Sequence, residues 1–149
     1  MGNKWLRFGE WGDDKHIRLF NRQKIKWNDA EIHESLILPA ETKIILLKGN
    51  VLHKTATDIH EYKHKMIKYA ELNAEKYFRQ GKRSNSIKMF FSAIFSFIKN
   101  YFFKLGFLDG VTGYHCALIN AQYTFQKYDL LKKLDQRSVV HSSQSKKTS

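Results

Sequence analysis

Residues 57–81, TDIHEYKHKMIKYAELNAEKYFRQG, decide the fold class of the larger, C-terminal part of the chain. Apolar and aromatic side chains recur in this stretch every three or four residues, which is the spacing of one face of an α-helix. Asp58 followed by Glu61 predicts an N-terminal capping box, and Gly81 predicts the C-terminal stop. The stretch therefore predicts one long amphipathic helix.

Two further helices are predicted downstream of Gly81. The second begins near Ser84 or Ser86 and ends at Gly106, and apolar residues cover more than half of its circumference. The third runs from residue 109 to about residue 134 and carries apolar residues along one side.

Two segments upstream of the helices have the composition of β-strands. Residues 16–21, HIRLFN, and 42–53, TKIILLKGNVLH, are rich in β-branched and large apolar residues and are bounded by turn formers. A short strand within 24–29, KIKWND, is predicted to pair with the first of them. Residues 135–149 predict a disordered basic tail, because they cannot bury enough apolar surface to become ordered. The sequence thus predicts an α+β chain with short strands followed by about three amphipathic helices.

The charge balance favours an anionic partner. The 149 residues carry a formal net charge of +12, which suits nucleic acid, an acidic membrane surface or a phosphate-rich substrate. The sequence shows no helix-turn-helix, zinc-finger or aromatic-basic strand motif, so nucleic acid is the less favoured of these partners. The single cysteine, Cys116, excludes an internal disulfide and a cysteine-based zinc site, and it fits a small buried residue.

Residues 87–108, IKMFFSAIFSFIKNYFFKLGFL, are the most apolar stretch. The stretch is long enough to span a bilayer, but lysines at 88, 99 and 104 interrupt it, and a charge in hydrocarbon is costly. We therefore predict a segment that does not span. Two interpretations stay open: a helix that lies in the membrane interface and binds acidic lipid, or a helix buried against its neighbours with its lysine stems extended to water. We favour the first, because positive charge and aromatic side chains coincide in one segment.

Residues 11–34, WGDDKHIRLFNRQKIKWNDAEIHE, resemble the second half of the catalytic domain of family-2 glycosyltransferases, inverting sugar transferases with the GT-A fold. The likeness is strongest to the subgroup that adds sugars to lipopolysaccharide core and related cell-surface glycans. It continues through GNVLHKTATDIHEYKHKMIKYAELNAEKYFRQGK (49–82) and KNYFFKLGFLDGVTGYHCALINAQYTFQKYDLL (99–131). The resemblance implies that 1–55 is the C-terminal part of a GT-A domain, that 56–134 is a helical region close to the acceptor and membrane, and that 135–149 is the tail.

The resemblance also implies site residues. Inverting transfer needs a carboxylate that takes the proton from the acceptor hydroxyl as this attacks the anomeric carbon of the sugar. The family's acidic pair falls on Asp13 and Asp14; Asp14, directly before the predicted strand, is the candidate base and Asp13 is the second choice. Arg18, His33 and Glu34 are the implied substrate-binding residues near the donor phosphates and the acceptor. From the local sequence alone, Gly-Asp-Asp is also a common turn signal and Arg18 also fits a solvated strand charge.

Enzymes of this family need a nucleotide-binding half with an Asp-x-Asp motif, which holds Mg²⁺ or Mn²⁺ on the donor diphosphate. The sequence contains no Asp-x-Asp and no glycine-rich phosphate loop. We therefore expect that this chain lacks that half, that it binds no cofactor alone, and that it is inactive in isolation.

Together with the missing half, the partners implied by the resemblance are a nucleotide-sugar and a glycan or lipid-linked acceptor. The implied location is the cytoplasmic face of the bacterial inner membrane, as a peripheral protein on an anionic surface. The alternative function is a noncatalytic basic scaffold that binds membrane or a partner protein.

Overall fold

The computed structural model describes residues 5–12, 16–28, 35–49 and 56–145, with side chains as far as residue 138. The predicted α+β class is confirmed, since these residues form three α-helices and a two-stranded antiparallel sheet. The chain divides into two compact units. The helical unit consists of Met1–Asp13 and Lys54–Ser149, and the strand unit consists of Asp14–His53. In this division the N-terminal residues Met1–Asp13 group with the helices.

Helix α1 spans Ile59–Arg79, as the periodicity predicts. The carboxylate of Asp58 accepts hydrogen bonds of 2.8 Å from the N–H groups of His60 and Glu61. The Glu61 carboxylate in turn accepts from the N–H of Thr57 at 2.6 Å. These bonds satisfy N–H groups that have no partner inside the first helical turn. The predicted capping is therefore confirmed, with the return bond made one residue before the cap.

Helix α2 spans Ser86–Ile98 and continues into a π-helical turn, Lys99–Phe103. The predicted start at Ser86 is confirmed, but the predicted uninterrupted helix to Gly106 is wrong. In the π-turn the side-chain amide of Asn100 donates to the carbonyl of Ser96 at 3.0 Å. The N–H of Lys104 donates to the carbonyl of Lys99 at 2.9 Å, the i to i−5 bond of a π-helical turn.

Helix α3 spans Gly110–Ser145 and follows a short 3₁₀ turn, Gly106–Asp109. The predicted helix end near residue 134, and the predicted disorder of the residues immediately beyond it, are wrong as far as Ser145. Residues 135–145 contain no glycine or proline to stop the helix. The first of them, Asp135, also forms an ion pair of 2.7 Å with Arg83 from the α1–α2 connection.

The core of the helical unit lies where α1 and α2 pack on α3. Ala70 and Ala74 of α1 are each 1% exposed, and Leu131 of α3 is fully buried. Small side chains on a helix allow a close approach of its neighbour, and Leu131 fills the space that remains. A second buried cluster, which includes the N-terminal segment, consists of Leu6, Ala56, Tyr62, Cys116 and Ile119.

The strand unit contains β1, Lys26–Trp27, paired antiparallel with β2, Leu36–Ile37. The prediction of a strand within 24–29 is confirmed, but its partner is β2 and not 16–21. The predicted strands at 16–21 and 42–49 are wrong, since neither segment pairs within the described ranges. An apolar composition is compatible with a β-strand, but a segment forms a strand only when its backbone hydrogen-bonds to a neighbouring strand. Residues 50–53 of the second predicted strand lie outside the described residues.

Candidate functional site

The structure describes one of the five predicted site residues. Arg18 is exposed and lies in a segment of the strand unit that forms no strand. Asp13, Asp14, His33 and Glu34 lie outside the described residues. Their implied roles therefore stay predictions, and the described geometry concerns the segment that leads into the acidic pair.

Residues 5–12, which directly precede the acidic pair, are anchored by Asp109 at the start of α3. The buried Asp109 carboxylate accepts hydrogen bonds from the backbone N–H of Arg7 at 3.1 Å and of Phe8 at 2.9 Å. The N–H of Gly9 donates to the carbonyl of Lys104 at 2.8 Å. Hydrogen bonds to an ionised acceptor are about twice as strong as neutral ones. The backbone just before Asp13 is thus held on the helical unit.

Two glycines place Asp109 at this position. A Cβ on Gly106 would lie 2.5 Å from the carbonyl oxygen of Asn100, and a Cβ on Gly113 would collide with the carbonyl oxygen of Gly106. Both neighbours are backbone atoms, so neither can move aside as a flexible side chain would. The Gly-Phe-Leu-Asp-Gly sequence of 106–110 is therefore a close backbone crossing that presents the Asp109 carboxylate to the N-terminal segment.

A polar cluster lies beside this anchor. The hydroxyl of the buried Tyr62 on α1 lies 3.2 Å from Oδ1 of Asn120 on α3 and 3.4 Å from Oε2 of Glu10. The ring of Trp11 packs on that of Tyr62 with 5.3 Å between the centroids. Burial, reinforced by the negative charge of Glu10, raises the pKa of Tyr62. Tyr62 therefore stays neutral and connects the N-terminal segment to both helices.

The cluster encloses little space. Glu10, Trp11, Cys116 and Asn120 are among the residues that line a cavity of about 10 Å³, which holds at most one water molecule. Burial raises the pKa of the Cys116 thiol, so this sulphur is the neutral thiol and not a nucleophile. The cavity is too small to hold a sugar. The role of the cluster is to position the backbone that precedes the acidic pair.

The sequence does not predict this positioning cluster. Helical periodicity places Tyr62 on the apolar face of α1, although its hydroxyl is the group that contacts Asn120 and Glu10. Glu10 and Asn120 carry no pattern that would single them out, since their pairing joins residues 52 and 58 positions away from Tyr62. The one sequence feature that points to the cluster is Asp109, a carboxylate between two glycines in the Gly-Phe-Leu-Asp-Gly sequence of 106–110, which lies within the segment that resembles glycosyltransferases.

The second candidate surface is formed by α2 and the π-turn, and we call it the α2 surface. Its large apolar side chains are between 54% and 74% exposed: Ile87, Phe90, Phe91, Ile94, Phe95, Phe102 and Phe103. Between Glu75 and Asp109 the sequence has seven lysines and arginines and no acidic residue. Within the described residues these side chains are exposed, while the face of α2 that carries the buried Met89 packs on α3. The surface combines exposed apolar area with an excess of positive charge.

The described residues contain neither a metal-binding cluster nor a helix that could cross a membrane. No group of three His, Cys, Asp or Glu side chains in them lies close enough to hold a metal ion. The described residues therefore do not form the divalent metal site that the resemblance implies for the longer enzyme. Among the described helices, none has both the length and the apolar content needed to cross a bilayer.

Comparison with known proteins gives a relationship to glycosyltransferases. The chain is 26% identical over 132 residues to a protein of Rickettsia typhi (strain ATCC VR-144 / Wilmington) named as an uncharacterized glycosyltransferase. It is 25% identical over 132 residues to a protein of the same description from Rickettsia prowazekii (strain Madrid E). No protein-family model matches the chain. No solved structure matches it either.

The coverage of these matches is unequal. In both cases the aligned region includes 84% of this chain but 45% of the relative. The chain thus spans less than half of the length of the curated relatives that it matches. The similarity extends over most of the chain and is consistent with the glycosyltransferase resemblance of the sequence motifs.

Proposed function

We propose that this chain is the acceptor-side part of a glycosyltransferase that transfers a sugar from a nucleotide-sugar to a lipid-linked or cell-surface glycan acceptor. The observation that carries the proposal is the similarity, over 84% of the chain, to two proteins named as glycosyltransferases. The motif likeness supports the finer assignment to the inverting family-2 enzymes with the GT-A fold, in the subgroup that acts in lipopolysaccharide biosynthesis.

In the proposed reaction Asp14 is the general base. Its carboxylate accepts the proton of the acceptor hydroxyl while the oxygen attacks the anomeric carbon and the bond from that carbon to the donor diphosphate breaks. Asp13 is the second candidate, and Arg18, His33 and Glu34 bind donor and acceptor. The anchor at Asp109 supports this assignment, because a base must be held within hydrogen-bond reach of its substrate and the anchored segment ends directly before Asp13. No metal ligand is assigned to the described residues.

The proposed location is the cytoplasmic face of the bacterial inner membrane, with the protein peripheral to it. The α2 surface supports this location, because exposed aromatic and aliphatic side chains with an excess of basic residues suit the interface of an anionic bilayer. A lipid-linked acceptor would be reached from such a position.

The decisive test begins with the DNA directly upstream of the Met1 codon. A reading frame there that encodes a nucleotide-binding half with Asp-x-Asp supports the proposal, and the joined protein is then assayed for sugar transfer to membrane lipid extracts. In that protein D14N lowers the transfer rate by about 10²- to 10⁴-fold, whereas D129N, on α3, leaves the rate within about twofold, because only a partly exposed i,i+4 ion pair with Lys133 is lost. Equal rates for D14N and D129N would contradict the assignment of the base.

The alternative function is a noncatalytic scaffold that binds membrane or a partner protein. The observation that favours it is the same α2 surface, which needs no catalytic residue in order to bind. An upstream region that encodes no nucleotide-binding half, together with salt-sensitive binding of the chain to anionic vesicles and no affinity for nucleotide-sugars, would establish the scaffold and overturn the transferase.

A further inference from the structure

Three lysines from three separate elements surround one pair of tyrosine rings, and we call them the lysine cluster. Lys82, in the α1–α2 connection, places its Nζ 4.0 Å from the ring centroid of Tyr77. Lys127 of α3 lies between the rings, with its Nζ 5.0 Å from Tyr77 and 4.7 Å from Tyr128. Lys88, in the first turn of α2, has its Nζ 5.2 Å from Tyr128. The two ring centroids are 6.5 Å apart, so the three ammonium groups occupy one small region.

No described carboxylate neutralises the lysine cluster. The acidic side chains on this part of α3 have other partners: Asp129 pairs with Lys133 at 2.7 Å, and Asp135 pairs with Arg83 at 2.7 Å. The tyrosine rings stabilise the three ammonium groups where no described carboxylate pairs with them, because the negative face of an aromatic ring attracts a nearby cation. The cluster is therefore a concentration of positive charge that a bound anion would neutralise.

Two further features increase the attraction for an anion. Burial, together with the charges of Lys82 and Lys88, lowers the pKa of Lys127, so its charged form gains from a nearby negative group. The N-terminal end of α2, where Lys88 lies, carries the partial positive charge of the helix. Ammonium groups and a helix N-terminus together are the usual surroundings of a bound phosphate.

The lysine cluster adjoins the α2 surface. Phe91 lies three residues after Lys88 and so occupies the neighbouring position on the same helix face. Phe91 is 70% exposed, and Ile87, next to Lys88 in sequence, is 69% exposed. A charged phosphate and a hydrocarbon chain joined to it would therefore meet suitable side chains at adjacent positions.

We propose that the lysine cluster binds the phosphate group of an anionic amphiphile whose hydrocarbon chain lies against the α2 surface. The inference deepens the proposed function and rests on its membrane-proximal part, because it gives the phosphate of a lipid-linked molecule a specific place on the chain. A soluble phosphate compound carries the same phosphate group, and the experiments below distinguish its binding from that of the amphiphile.

The experiment measures co-sedimentation with phosphatidylcholine vesicles that contain either phosphatidic acid or, at matched surface charge, oleate. The triple variant K82Q/K88Q/K127Q is compared with K24Q/K63Q/K68Q, which removes three exposed lysines elsewhere. We expect the first variant to bind phosphatidic acid vesicles at least about tenfold more weakly than the control variant, and oleate vesicles about equally. Equal binding by the two variants, or an equal loss on both vesicle types, would overturn the inference.

Two additional measurements keep the result interpretable. Circular dichroism and thermal melting check that the triple variant is folded, and K127Q alone provides a milder change if it is not. Titration with pyrophosphate tests the soluble alternative: binding that depends on the three lysines, without preference for phosphatidic acid vesicles, would assign the cluster to a soluble phosphate compound and overturn the amphiphile.

The variant F91S/F95S separates this inference from the proposed function. Loss of vesicle binding by F91S/F95S, with undiminished binding by the lysine variant, would leave the membrane role of the α2 surface standing and remove the lysine cluster from it. Full binding by F91S/F95S would instead contradict the membrane-proximal part of the proposed function.

Discussion

Large apolar side chains are buried in the core of the helical unit and exposed in the strand unit. Leu131 of α3 is completely buried, whereas Leu46 of the strand unit is 77% exposed although it lies in a more apolar stretch. Along 44–47 all four residues, Ile-Ile-Leu-Leu, are at least 62% exposed. A helix forms its own backbone hydrogen bonds and needs only a neighbour for its apolar face. A strand needs a neighbour for its backbone as well, and 42–49 has none among the described residues.

Truncation of the two leucines gives the largest expected contrast. L131A should lower the free energy of unfolding by about 2–5 kcal/mol, because it leaves a cavity in the packed core. L46A should change that free energy by less than about 0.5 kcal/mol, because the side chain is already in contact with water. Urea unfolding followed by helical circular dichroism measures both. A cost for L46A close to that of L131A would show that Leu46 is packed in solution and would remove the contrast.

Substitution of Gly113 tests the crossing that places Asp109. G113A should lower the free energy of unfolding by about 1–3 kcal/mol, because the added methyl group collides with the backbone of Gly106. It should also speed hydrogen exchange at the amides of Arg7 and Phe8. G81A is the control: its Cβ meets no atom within 4 Å, and its left-handed backbone accounts for the whole cost. Unchanged exchange at Arg7 in G113A would show that the crossing does not support the N-terminal segment.

Removal of the Asp109 carboxylate should have an effect of similar size. D109A leaves the N–H groups of Arg7 and Phe8 without their acceptor, at an expected cost of about 1–3 kcal/mol. D129A, at the partly exposed Asp129, is the matched control, with an expected cost of about 0.3–0.5 kcal/mol from its i,i+4 ion pair with Lys133. Limited proteolysis between residues 5 and 12 measures release of the segment, and equal protection in both variants would contradict the anchor.

The substitution Y62F should have the smallest effect on the free energy of unfolding, and the size of this effect should depend on pH. The variant keeps the ring but removes the hydroxyl contacts to Asn120 and Glu10, at a cost of about 0.5–1.5 kcal/mol near neutral pH. Because the pKa of Tyr62 is raised in the fold, its neutral form is favoured there. Stability from this group is therefore complete below the ordinary tyrosine pKa of about 10 and falls as the pH rises above it.

The alkaline loss of stability should accordingly be shallower in Y62F than in the wild type. Urea midpoints at pH 8 and pH 11 measure it, with Y69F, 41% exposed, as the control. Burial also raises the pKa of Tyr123 to about 12, and this residue contributes the same background in both proteins. An identical alkaline slope for Y62F and the wild type would show that Tyr62 is not buried as described.

The same contrast explains what could be predicted from the sequence. The helix at 57–81 was predicted with its cap and stop because periodicity, Asp58 and Gly81 are local signals. The π-turn was missed because no local sequence signal distinguishes an i to i−5 backbone bond, such as that from Lys104 to Lys99, from the ordinary α-helical one. The strands at 16–21 and 42–49 were predicted wrongly because their composition says nothing about a partner. In the candidate site, the role of Asp109 could not be predicted, since the groups that it binds lie about a hundred residues away.

The bond between Asp109 and Arg7 also determines an order of assembly. The two residues are 102 positions apart, and a ribosome adds roughly 5–20 residues per second. The N-terminal segment, with Leu6 and Trp11, therefore waits about 5–20 s after its own synthesis for the carboxylate that secures it. Helix α1 needs no such delay, because its capping groups leave the ribosome within a few residues of one another. The backbone that leads into the acidic pair is thus fixed only after Asp109, about a hundred residues later, has been made.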